Sequence, residues 1–308
     1  MKSVKKNNQY KKPKVSIGLP IYNAEKFVNK KLDSLLKQTF TDFEIIISDN
    51  GSTDLTSKIC KEFVEKDQRV KYFHQEKNFG AIWNFNFVLG KANGEYFLWT
   101  AADDIILPEF IEKNITVLES NDKIVCSTSQ VKPYGEKTNY LAKNDIENIT
   151  EKFKKMIIRK FTPLKNYSTY GSYEKKIRYY LKLRGHQQVF YGIFRTNQLR
   201  KFFVYDIITG FDLATMLNAL KFGDYSVLEE VLTYRYDGGV SSGGLFNYAR
   251  TFQLNFFGVI FLYYPFTRWC WKNLGVKIFF KNIDCFIKMN LEFFLFLLVD
   301  IVRKLKGR

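Results

Sequence analysis

Short apolar runs alternate with helix-forming segments through residues 14–104, and this alternation restricts the chain to one class of fold. Strands are predicted at residues 14–19, 43–47, 70–73 and 96–100, and helices at residues 24–37, 55–66 and 78–89. Strand–helix repeats joined by short loops are typical of a parallel sheet with right-handed crossovers. The sequence therefore predicts an α/β fold with a Rossmann-like, mostly parallel sheet and helices on both faces.

Polar loops follow the predicted strands at residues 20–23, 48–54, 77–80 and 101–104. Because the carboxyl ends of parallel strands meet at one edge of a sheet, these loops are expected to lie together, and ligands of open α/β sheets bind at that edge. Aspartates are concentrated in the second and fourth loops. The sequence therefore predicts a binding site at the carboxyl edge of the sheet.

Two adjacent carboxylates, Asp103 and Asp104, directly follow the apolar strand that begins at Tyr96. Neighbouring carboxylates repel each other unless a cation accompanies them, and oxygen ligands suit Mg2+ or Mn2+. The alternative is that one of them caps a helix whose first residue is Pro108. The chain contains neither the glycine-rich dinucleotide motif nor a P-loop, so a metal on Asp103 is the expected means of holding phosphates.

Positive charge dominates the chain, which has a formal net charge of +17. Residues 151–201 alone contain 14 Lys and Arg against 2 Glu. A surface of this kind attracts phosphates on nucleic acid, anionic lipid or a phosphorylated substrate. Since no nucleic-acid reading motif is present, we expect no nucleic-acid partner. The N-terminal residues have no apolar run of the secretory type, so no signal peptide is expected.

Several short motifs follow one another in a fixed order. They are Pro20-x-Tyr22-Asn23, Asp49-Asn50-Gly51-Ser52-Thr53-Asp54, Asn78-x-Gly80 and Ala102-Asp103-Asp104-x3-Pro108, and later residues 189–195, Gly210-Phe211-Asp212 and Tyr234-Arg235. In this order and spacing the chain resembles the family 2 glycosyltransferases, which have the GT-A fold. The similarity is dense over residues 14–125 and resumes at the later motifs.

The resemblance implies metal-dependent, inverting transfer of a sugar from a nucleoside-diphosphate sugar, with a UDP-sugar as the favoured donor. Six residues would bind the nucleotide. Pro20 and Tyr22 would line the nucleobase pocket. Asp49 and Asn50 would contact the base and ribose. Asn78 and Gly80 would shape the floor of the nucleotide site.

The resemblance also implies that Asp103 binds Mg2+ or Mn2+, and that Asp104 contacts the sugar or the waters of the metal. Asp212 would be the general base. Asp212 also lies at the start of a predicted apolar helix at residues 213–220, whose N-terminus favours the ionised carboxylate. The alternative is that Asp212 only caps this helix.

The chain departs from the family pattern at several positions. Asn50 stands where many members have a second acid, and Ala101 stands where the first acid of Asp-x-Asp is expected. Asp237 lies near the position of a family histidine and is either a ligand or a turn residue before Gly238, of which we favour the turn. A Gln-x-x-Arg-Trp stretch is absent, which argues against a processive polysaccharide synthase.

These departures keep a second function open, namely a non-catalytic peripheral membrane or nucleic-acid binding protein on a degenerate transferase scaffold. The intact Asp103, Asp104 and Asp212 argue against it. A nucleotidyltransferase is disfavoured, because residues 20–23 lack the glycine-rich loop that such an enzyme needs.

The C-terminal part of the chain has the pattern of amphipathic helices. Residues 251–267 carry no charge, but this stretch is short for a transmembrane helix and contains Pro265. Over residues 274–305, apolar residues recur at helical spacing with lysines and arginines between them. The pattern favours helices that lie on an anionic membrane leaflet. The alternative is that they pack on the catalytic domain.

The sequence thus predicts three regions: a basic tail over residues 1–13, a GT-A domain over residues 14–245, and a helical, membrane-associated region over residues 246–308. Within the domain, residues 14–125 are the nucleotide-sugar half and residues 126–245 the acceptor half. The expected acceptor is a glycan or a lipid-diphosphate-linked molecule in cell-surface polysaccharide assembly. The expected location is cytoplasmic, peripheral on the inner face of the cell membrane.

Overall fold

The computed structural model describes residues 12–136, 138–139, 165–183, 186–206, 208–238 and 261–305. Most of the predicted basic tail, residues 140–164 of the predicted acceptor half and most of the uncharged stretch at 251–267 lie outside the described residues.

Within the described residues, eight strands form a single sheet in the order β3-β2-β1-β4-β7-β6-β8-β5. They are β1 (Val15–Ile21), β2 (Phe43–Asp49), β3 (Val70–His74), β4 (Tyr96–Trp99), β5 (Ile105–Ile106), β6 (Ile124–Tyr134), β7 (Ile193–Arg195) and β8 (Asp224–Tyr236). Strands β3, β2, β1 and β4 are parallel, as are β6 and β8, whereas β7 and β5 run antiparallel to their neighbours. The predicted mostly parallel sheet is confirmed.

Helices connect and cover these strands. They are α1 (Glu25–Leu36), α2 (Thr56–Lys66), α3 (Ala81–Lys91), α4 (Phe110–Ser120), α5 (Tyr173–Leu183), α6 (Thr196–Phe202), α7 (Phe211–Ala219), α8 (Tyr264–Asn273), α9 (Val276–Lys281) and α10 (Ile283–Leu305), with a 3-10 helix at His186–Tyr191.

Side chains alternate across the sheet and build a core on each face. In β4, Leu98 points to the core formed with α1, α2 and α4, whereas Phe97 and Trp99 point to the core formed with α3 and α5 to α10. Because strand residues alternate between faces, one apolar strand supplies both cores. The predicted helices on both faces are confirmed.

Strand β1 continues through the predicted break at Pro20 and ends at Ile21, two residues beyond the predicted strand end at Leu19. The Gly18 carbonyl oxygen accepts the Thr100 N–H of the chain leaving β4 (3.0 Å), while the Ile21 carbonyl oxygen accepts the Asn50 N–H beyond β2 (2.9 Å). Backbone groups of successive residues point to opposite sides of a parallel strand, so Pro20 shares the side of Gly18, and its missing N–H would face the side where β4 has already ended. A proline is tolerated in a strand at such a position.

Pro108 is not the first residue of a helix, so the alternative in which Asp103 or Asp104 caps such a helix is wrong. Helix α4 begins at Phe110 after Glu109 as its N-cap, and Pro108 lies in the preceding turn. The reason is strand pairing, because the Leu107 N–H donates to the Leu232 carbonyl oxygen of β8 (2.9 Å) and keeps the chain extended beyond β5.

Helices α8 to α10 have one buried and one exposed apolar side. Phe266 and Phe286 are buried in the same core as α7, whereas Ile287 and Leu291 are more than half exposed. The C-terminal amphipathic helices are therefore present, and their inner side packs on the α/β domain. None of the described helices combines the length and the hydropathy that crossing a bilayer requires.

Candidate active site

The carboxyl ends of β1 to β4 lie side by side, because these strands are parallel neighbours. The predicted shared edge of the loops at residues 20–23, 48–54, 77–80 and 101–104 is therefore confirmed. Hydrogen bonds join the first two loops: the Asn23 N–H donates to Ser52 Oγ (2.8 Å), and the Thr53 N–H donates to Asn23 Oδ1 (2.9 Å).

Pro20 and Tyr22 lie at this edge, at the end of β1 and just beyond it. Pro20 is half-buried, whereas the Tyr22 side chain is 47% exposed. The Tyr22 ring is therefore accessible to a planar ligand, as its predicted role requires.

Asp49 is the last residue of β2, and its carboxylate is completely buried. The carboxylate accepts the Tyr72 hydroxyl (2.6 Å) and the Ser52 N–H (3.0 Å), and His74 Nδ1 lies 3.3 Å from Oδ2. Burial and this hydrogen bond raise the pKa of Tyr72, which keeps its hydroxyl protonated as a donor. Sequence reasoning missed the contacts of Tyr72 and His74 with Asp49, although residues two apart on a strand share one face.

Asn50 shapes the loop that precedes α3. Its amide nitrogen donates to Asn78 Oδ1 (2.8 Å) and to the Gly80 carbonyl oxygen (3.2 Å), and its Oδ1 accepts the Phe79 N–H (3.0 Å). Gly80 enters α3 with a φ of 90°, where glycine is favoured. Three of the predicted nucleotide residues thus form one hydrogen-bonded unit. Direct contact of Asn50 with a base or ribose stays a prediction.

Asp103 and Asp104 lie in the turn between β4 and β5. Pairing of β5 with β8 brings the Tyr236 N–H to 3.2 Å from Asp104 Oδ1. From β6, the Tyr134 hydroxyl donates to the Asp103 carbonyl oxygen (2.5 Å). The acidic pair is therefore positioned by strands of the second half of the sheet, although it belongs to the first half in sequence.

Burial is the main influence on these two carboxyl groups. It raises the pKa of Asp104 to about 6, and the Asp103 charge acts in the same direction. It also raises the pKa of Asp103. Arg235 and Lys31 oppose both shifts. Carboxyl groups with raised pKa values beside fixed cations are common at functional sites.

Lys31 of α1 is 2% exposed and lies beneath the acidic pair. Its Nζ donates to the Asp104 carbonyl oxygen (3.0 Å). Burial lowers the pKa of its ammonium group to about 8, while the charges of Asp104 and Asp103 oppose this shift. Lys31 is not among the site residues predicted from the sequence. The buried line is Val28, Lys31, Leu32 and Leu35, whose spacing could have identified the lysine.

Asp212 lies in the first turn of α7, after Gly210 with a φ of 78°. Burial raises the pKa of Asp212, while the N–H groups of Asp212 and Leu213 and the charge of Arg235 oppose the shift. The expected effect of the helix N-terminus is thus present, but burial outweighs it and the net shift is upward.

Arg235 lies within electrostatic range of Asp103, Asp104 and Asp212, and it lowers the pKa of each against the effect of burial. Its guanidinium group is 5.9 Å from the centroid of the Tyr191 ring. The charge of Arg235 therefore acts on the predicted metal residues and on the predicted base, whereas the sequence indicated Arg235 only as part of a motif.

The sequence of this chain matches the model of one protein family. The model of the family described as Glycosyl transferase family 2 matches residues 16–181, which is more than half of the chain. The chain belongs to this family. The matched region contains the four loops at the carboxyl edge of the sheet, including the acidic pair, whereas Asp212 and Arg235 lie beyond it.

Two bacterial relatives of this family 2 chain illustrate the extent of the similarity. An uncharacterized glycosyltransferase of Haemophilus influenzae is 39% identical over 125 residues, which are 41% of this chain and 39% of the relative. Glycosyltransferase GlyG of Streptococcus pneumoniae is 37% identical over 108 residues, which are 35% of this chain and 36% of GlyG. The aligned part is thus less than half of either relative.

Solved structures of TarS from S. aureus have the same fold. One has a TM-score of 0.54 at 22% identity and covers 77% of this chain and 38% of TarS. A second, TarS 1–349 in complex with UDP-GlcNAc, has a TM-score of 0.52 at 24% identity and covers 72% of this chain and 58% of the TarS chain. These similarities establish the GT-A fold of this family 2 chain.

The donor set decides whether this family 2 site fits a divalent metal. The described residues contain no group of three or more His, Cys, Asp or Glu side chains suited to a metal. Asp103 and Asp104 supply two carboxylates, and Mg2+ at nucleotide sites commonly uses one or two carboxylates together with phosphate oxygens. The pair therefore fits a metal that is shared with a bound nucleotide.

Asp237 lies in the turn after β8, where its Oδ2 accepts the Thr138 N–H (2.5 Å). This is the turn interpretation favoured from the sequence.

Proposed function

We propose that this chain transfers a sugar from a nucleoside-diphosphate sugar to a glycan or lipid-diphosphate-linked acceptor, with inversion and with Mg2+ or Mn2+. The observation that carries the proposal is the convergence of Asp103, Asp104 and Asp212 on Arg235 beside the loops of the carboxyl edge. Carboxylates for a metal and for a base, next to a cation for phosphates, are what glycosyl transfer from a diphosphate needs.

The donor is proposed to bind across the loops of the carboxyl edge. Tyr22 and Pro20 are assigned to the base, Asp49 and Asn50 to the base and ribose, and Asn78 and Gly80 to the floor. A UDP-sugar is favoured, and the complex of TarS with UDP-GlcNAc supports a uridine donor on this fold.

Asp103 is assigned to the metal, with Asp104 beside it on the sugar or on the metal-bound waters. A divalent ion bound there together with the donor would stabilise the negative charge of the leaving diphosphate. Arg235 would add a permanent positive charge on the same side. The protein fixes the turn that carries both carboxylates. The Tyr236 N–H binds the Asp104 carboxylate, and Tyr134 and Lys31 bind the backbone carbonyl oxygens of Asp103 and Asp104.

Asp212 is assigned to the acceptor hydroxyl, whose proton it would remove during attack on the anomeric carbon. A base is more effective when its pKa lies closer to the working pH, and burial shifts the pKa of Asp212 in that direction. One base opposite the leaving group gives a single displacement with inversion.

The first experiment is a thermal-shift screen of UDP-, GDP-, dTDP- and CMP-sugars with and without Mn2+. A ligand present at about 100 times its dissociation constant stabilises the folded state by about 2.7 kcal/mol, which is readily measured. A metal-dependent shift with one nucleotide supports the proposal and identifies the base. If a folded sample shows no shift with any donor, the proposal fails and the non-catalytic binding protein is favoured.

The same proposal places the enzyme at the inner face of the cell membrane, in cell-surface polysaccharide assembly. An exposed apolar face runs along α10, and its members are Ile283, Ile287, Leu291, Phe294, Leu295, Leu298 and Ile301, which are 36–61% exposed. Apolar faces of this extent are uncommon on isolated soluble proteins.

Charge favours an anionic bilayer over a second copy of the chain as the partner of this face. Residues 261–305 contain seven Lys and Arg against three Asp and Glu. Two copies meeting through α10 would bring the same positive excess together, whereas anionic lipid headgroups attract it.

Vesicle flotation tests this placement, using phosphatidylcholine with and without phosphatidylglycerol. Leu291→Asp should lower vesicle affinity about tenfold or more, since burial of a leucine contributes roughly 1.5–3 kcal/mol. Val64→Asp on α2, where an aspartate likewise replaces an exposed aliphatic side chain, is the control and should not change binding. Membrane docking would be contradicted if the wild-type chain did not bind anionic vesicles. It would also be contradicted if the wild-type chain formed a dimer that Leu291→Asp dissociates.

A further inference from the structure

Lys31 is a buried cation placed against the two carboxylates to which the metal is assigned. Its ammonium group reaches the Asp104 carbonyl oxygen (3.0 Å), and its charge acts on both Asp103 and Asp104. An exposed lysine would be screened by water, but Lys31 is only 2% exposed. Its charge is therefore felt more strongly than a surface charge at the same distance.

Arg235 is a second cation on the same pair of carboxylates. Lys31 belongs to α1 and Arg235 to β8, so positive charges from two different parts of the chain act on the pair. Two carboxylates with two fixed cations form a site that is close to neutral before any ligand binds.

The backbone around the pair is also fixed without a metal. The carbonyl oxygen of Asp103 accepts the Tyr134 hydroxyl, that of Asp104 accepts Lys31, and Asp104 Oδ1 accepts the Tyr236 N–H. A metal is therefore not needed to shape this turn, and its affinity depends mainly on the charge that it meets.

A divalent cation entering this site alone meets two carboxylates but also the repulsion of two cations. A nucleoside diphosphate adds negative charge and supplies phosphate oxygens as further ligands, and both increase the affinity of the site for the divalent cation. We propose that Lys31 makes metal binding depend on the donor, so that the metal is held together with the diphosphate and only weakly without it. This inference rests on the proposed donor site.

In this role Lys31 is a positioning and specificity residue and does not itself react. It holds the Asp104 backbone and sets the charge against which the metal binds. The advantage is that divalent ions do not occupy the acidic pair before a donor is present.

The test is a Mn2+ titration followed by the electron paramagnetic resonance signal of free Mn2+, without and with saturating UDP, or with GDP if the thermal-shift screen selects it. Protein-free titrations correct for Mn2+ bound to the nucleotide alone. The wild-type protein should bind Mn2+ at least tenfold more tightly with the nucleotide than without it. Equal affinities in the two titrations would overturn the inference, whatever the variants show.

Lys31→Met removes the charge and keeps the length of the side chain. It should bind Mn2+ at least threefold more tightly than the wild type in the absence of nucleotide, and the nucleotide should then increase affinity less. Lys31→Arg keeps the charge and should retain the wild-type dependence on nucleotide. If Lys31→Met is folded by circular dichroism but has the wild-type Mn2+ affinity, the role of Lys31 is structural only.

Lys176→Met is a matched control, because Lys176 is also a buried lysine, 7% exposed, but pairs with Asp224 (2.9 Å) and not with the acidic pair. It should leave the Mn2+ affinity unchanged. Direct calorimetry of nucleotide binding separates the two proposals: if none of the nucleotides in the thermal-shift screen binds, the proposed donor site fails, whereas nucleotide binding without metal dependence removes only the role of Lys31.

Discussion

At the residue scale, Asp212 has a carboxyl group that the folded protein holds in its protonated form more readily than the unfolded chain does, because burial raises its pKa. Ionisation of this group therefore lowers the free energy of unfolding as the pH rises through the folded-state pKa. A loss of stability of this kind is expected if Asp212 is the proposed general base, because strongly shifted pKa values are common at active sites.

Asp212→Asn should leave donor binding intact and lower the rate of transfer about 100- to 10,000-fold, the range typical for loss of a general base. Nucleotide binding by calorimetry and transfer by product analysis measure the two effects separately. Loss of binding together with transfer would assign Asp212 a structural role instead.

The same variant has an expected dependence on pH. Near pH 8, Asp212→Asn should raise the unfolding midpoint above that of the wild type, because an isosteric neutral group replaces a buried charge. Towards about pH 4, the usual pKa of an aspartate, the advantage should shrink as the wild-type carboxyl group becomes protonated. Thermal denaturation at both pH values checks this, and a difference that grows as the pH falls would contradict it.

Asp103→Asn should abolish the metal-dependent hydrolysis of the donor, since an amide oxygen is a poorer ligand for Mg2+ or Mn2+ than a carboxylate. The control is Asp237→Asn, whose carboxylate is engaged with the Thr138 N–H. That variant should retain the metal dependence. Unchanged turnover in Asp103→Asn would remove Asp103 from the metal site.

At the element scale, β1 and α3 approach closely because position 18 has no side chain. A Cβ at Gly18 would lie 2.6 Å from Phe97 Cζ and 2.7 Å from Val88 Cγ2. Gly18→Ala should therefore lower the free energy of unfolding by about 1–3 kcal/mol through overpacking.

Gly90 in α3 is the matched comparison, because a Cβ there would have no atom within 4 Å. Gly90→Ala should be neutral or stabilise the protein by up to about 1 kcal/mol, through the higher helix propensity of alanine. Urea denaturation of both variants gives the comparison, and equal losses of stability would show that the contact at Gly18 is not the cause.

The first four strands and their loops could be predicted because the signal is local. The mostly apolar run at residues 43–47 is enough to indicate a strand, and the polar residues that follow it indicate a loop at the end of that strand. Strand β5 could not be predicted in this way, since it has two residues and exists only by pairing with Thr233 and Tyr234. The wrong helix start at Pro108 has the same origin, because a local preference was overridden by a distant strand.

At the scale of the whole molecule, the C-terminal helices share a core with the helix that carries Asp212. A Cβ at Gly210 would lie 3.3 Å from Phe266 Cβ of α8, so the two helices are in close contact there. Phe266 is completely buried, whereas Phe280 of α9 is 53% exposed. The two phenylalanines therefore separate the packing role of these helices from their proposed role at a membrane.

Phe266→Ala should lower the free energy of unfolding by about 3–5 kcal/mol, as expected for a phenylalanine in a core. Phe280→Ala should have little effect on unfolding but should reduce binding to anionic vesicles. Denaturation and flotation of both variants test this. A large loss of stability in Phe280→Ala would mean that its side of the helices is not free to meet a membrane.

The dependence of the acidic pair on β8 also affects how the protein is made. The Tyr236 N–H that binds Asp104 is 132 residues further along the chain. At synthesis rates of about 5–20 residues per second, on the order of ten seconds separate the two residues as they leave the ribosome. Until Arg235 is synthesised, Asp103 and Asp104 lack its charge beside them. The site is therefore completed only when β8, which follows the acidic pair by more than a hundred residues, joins the sheet.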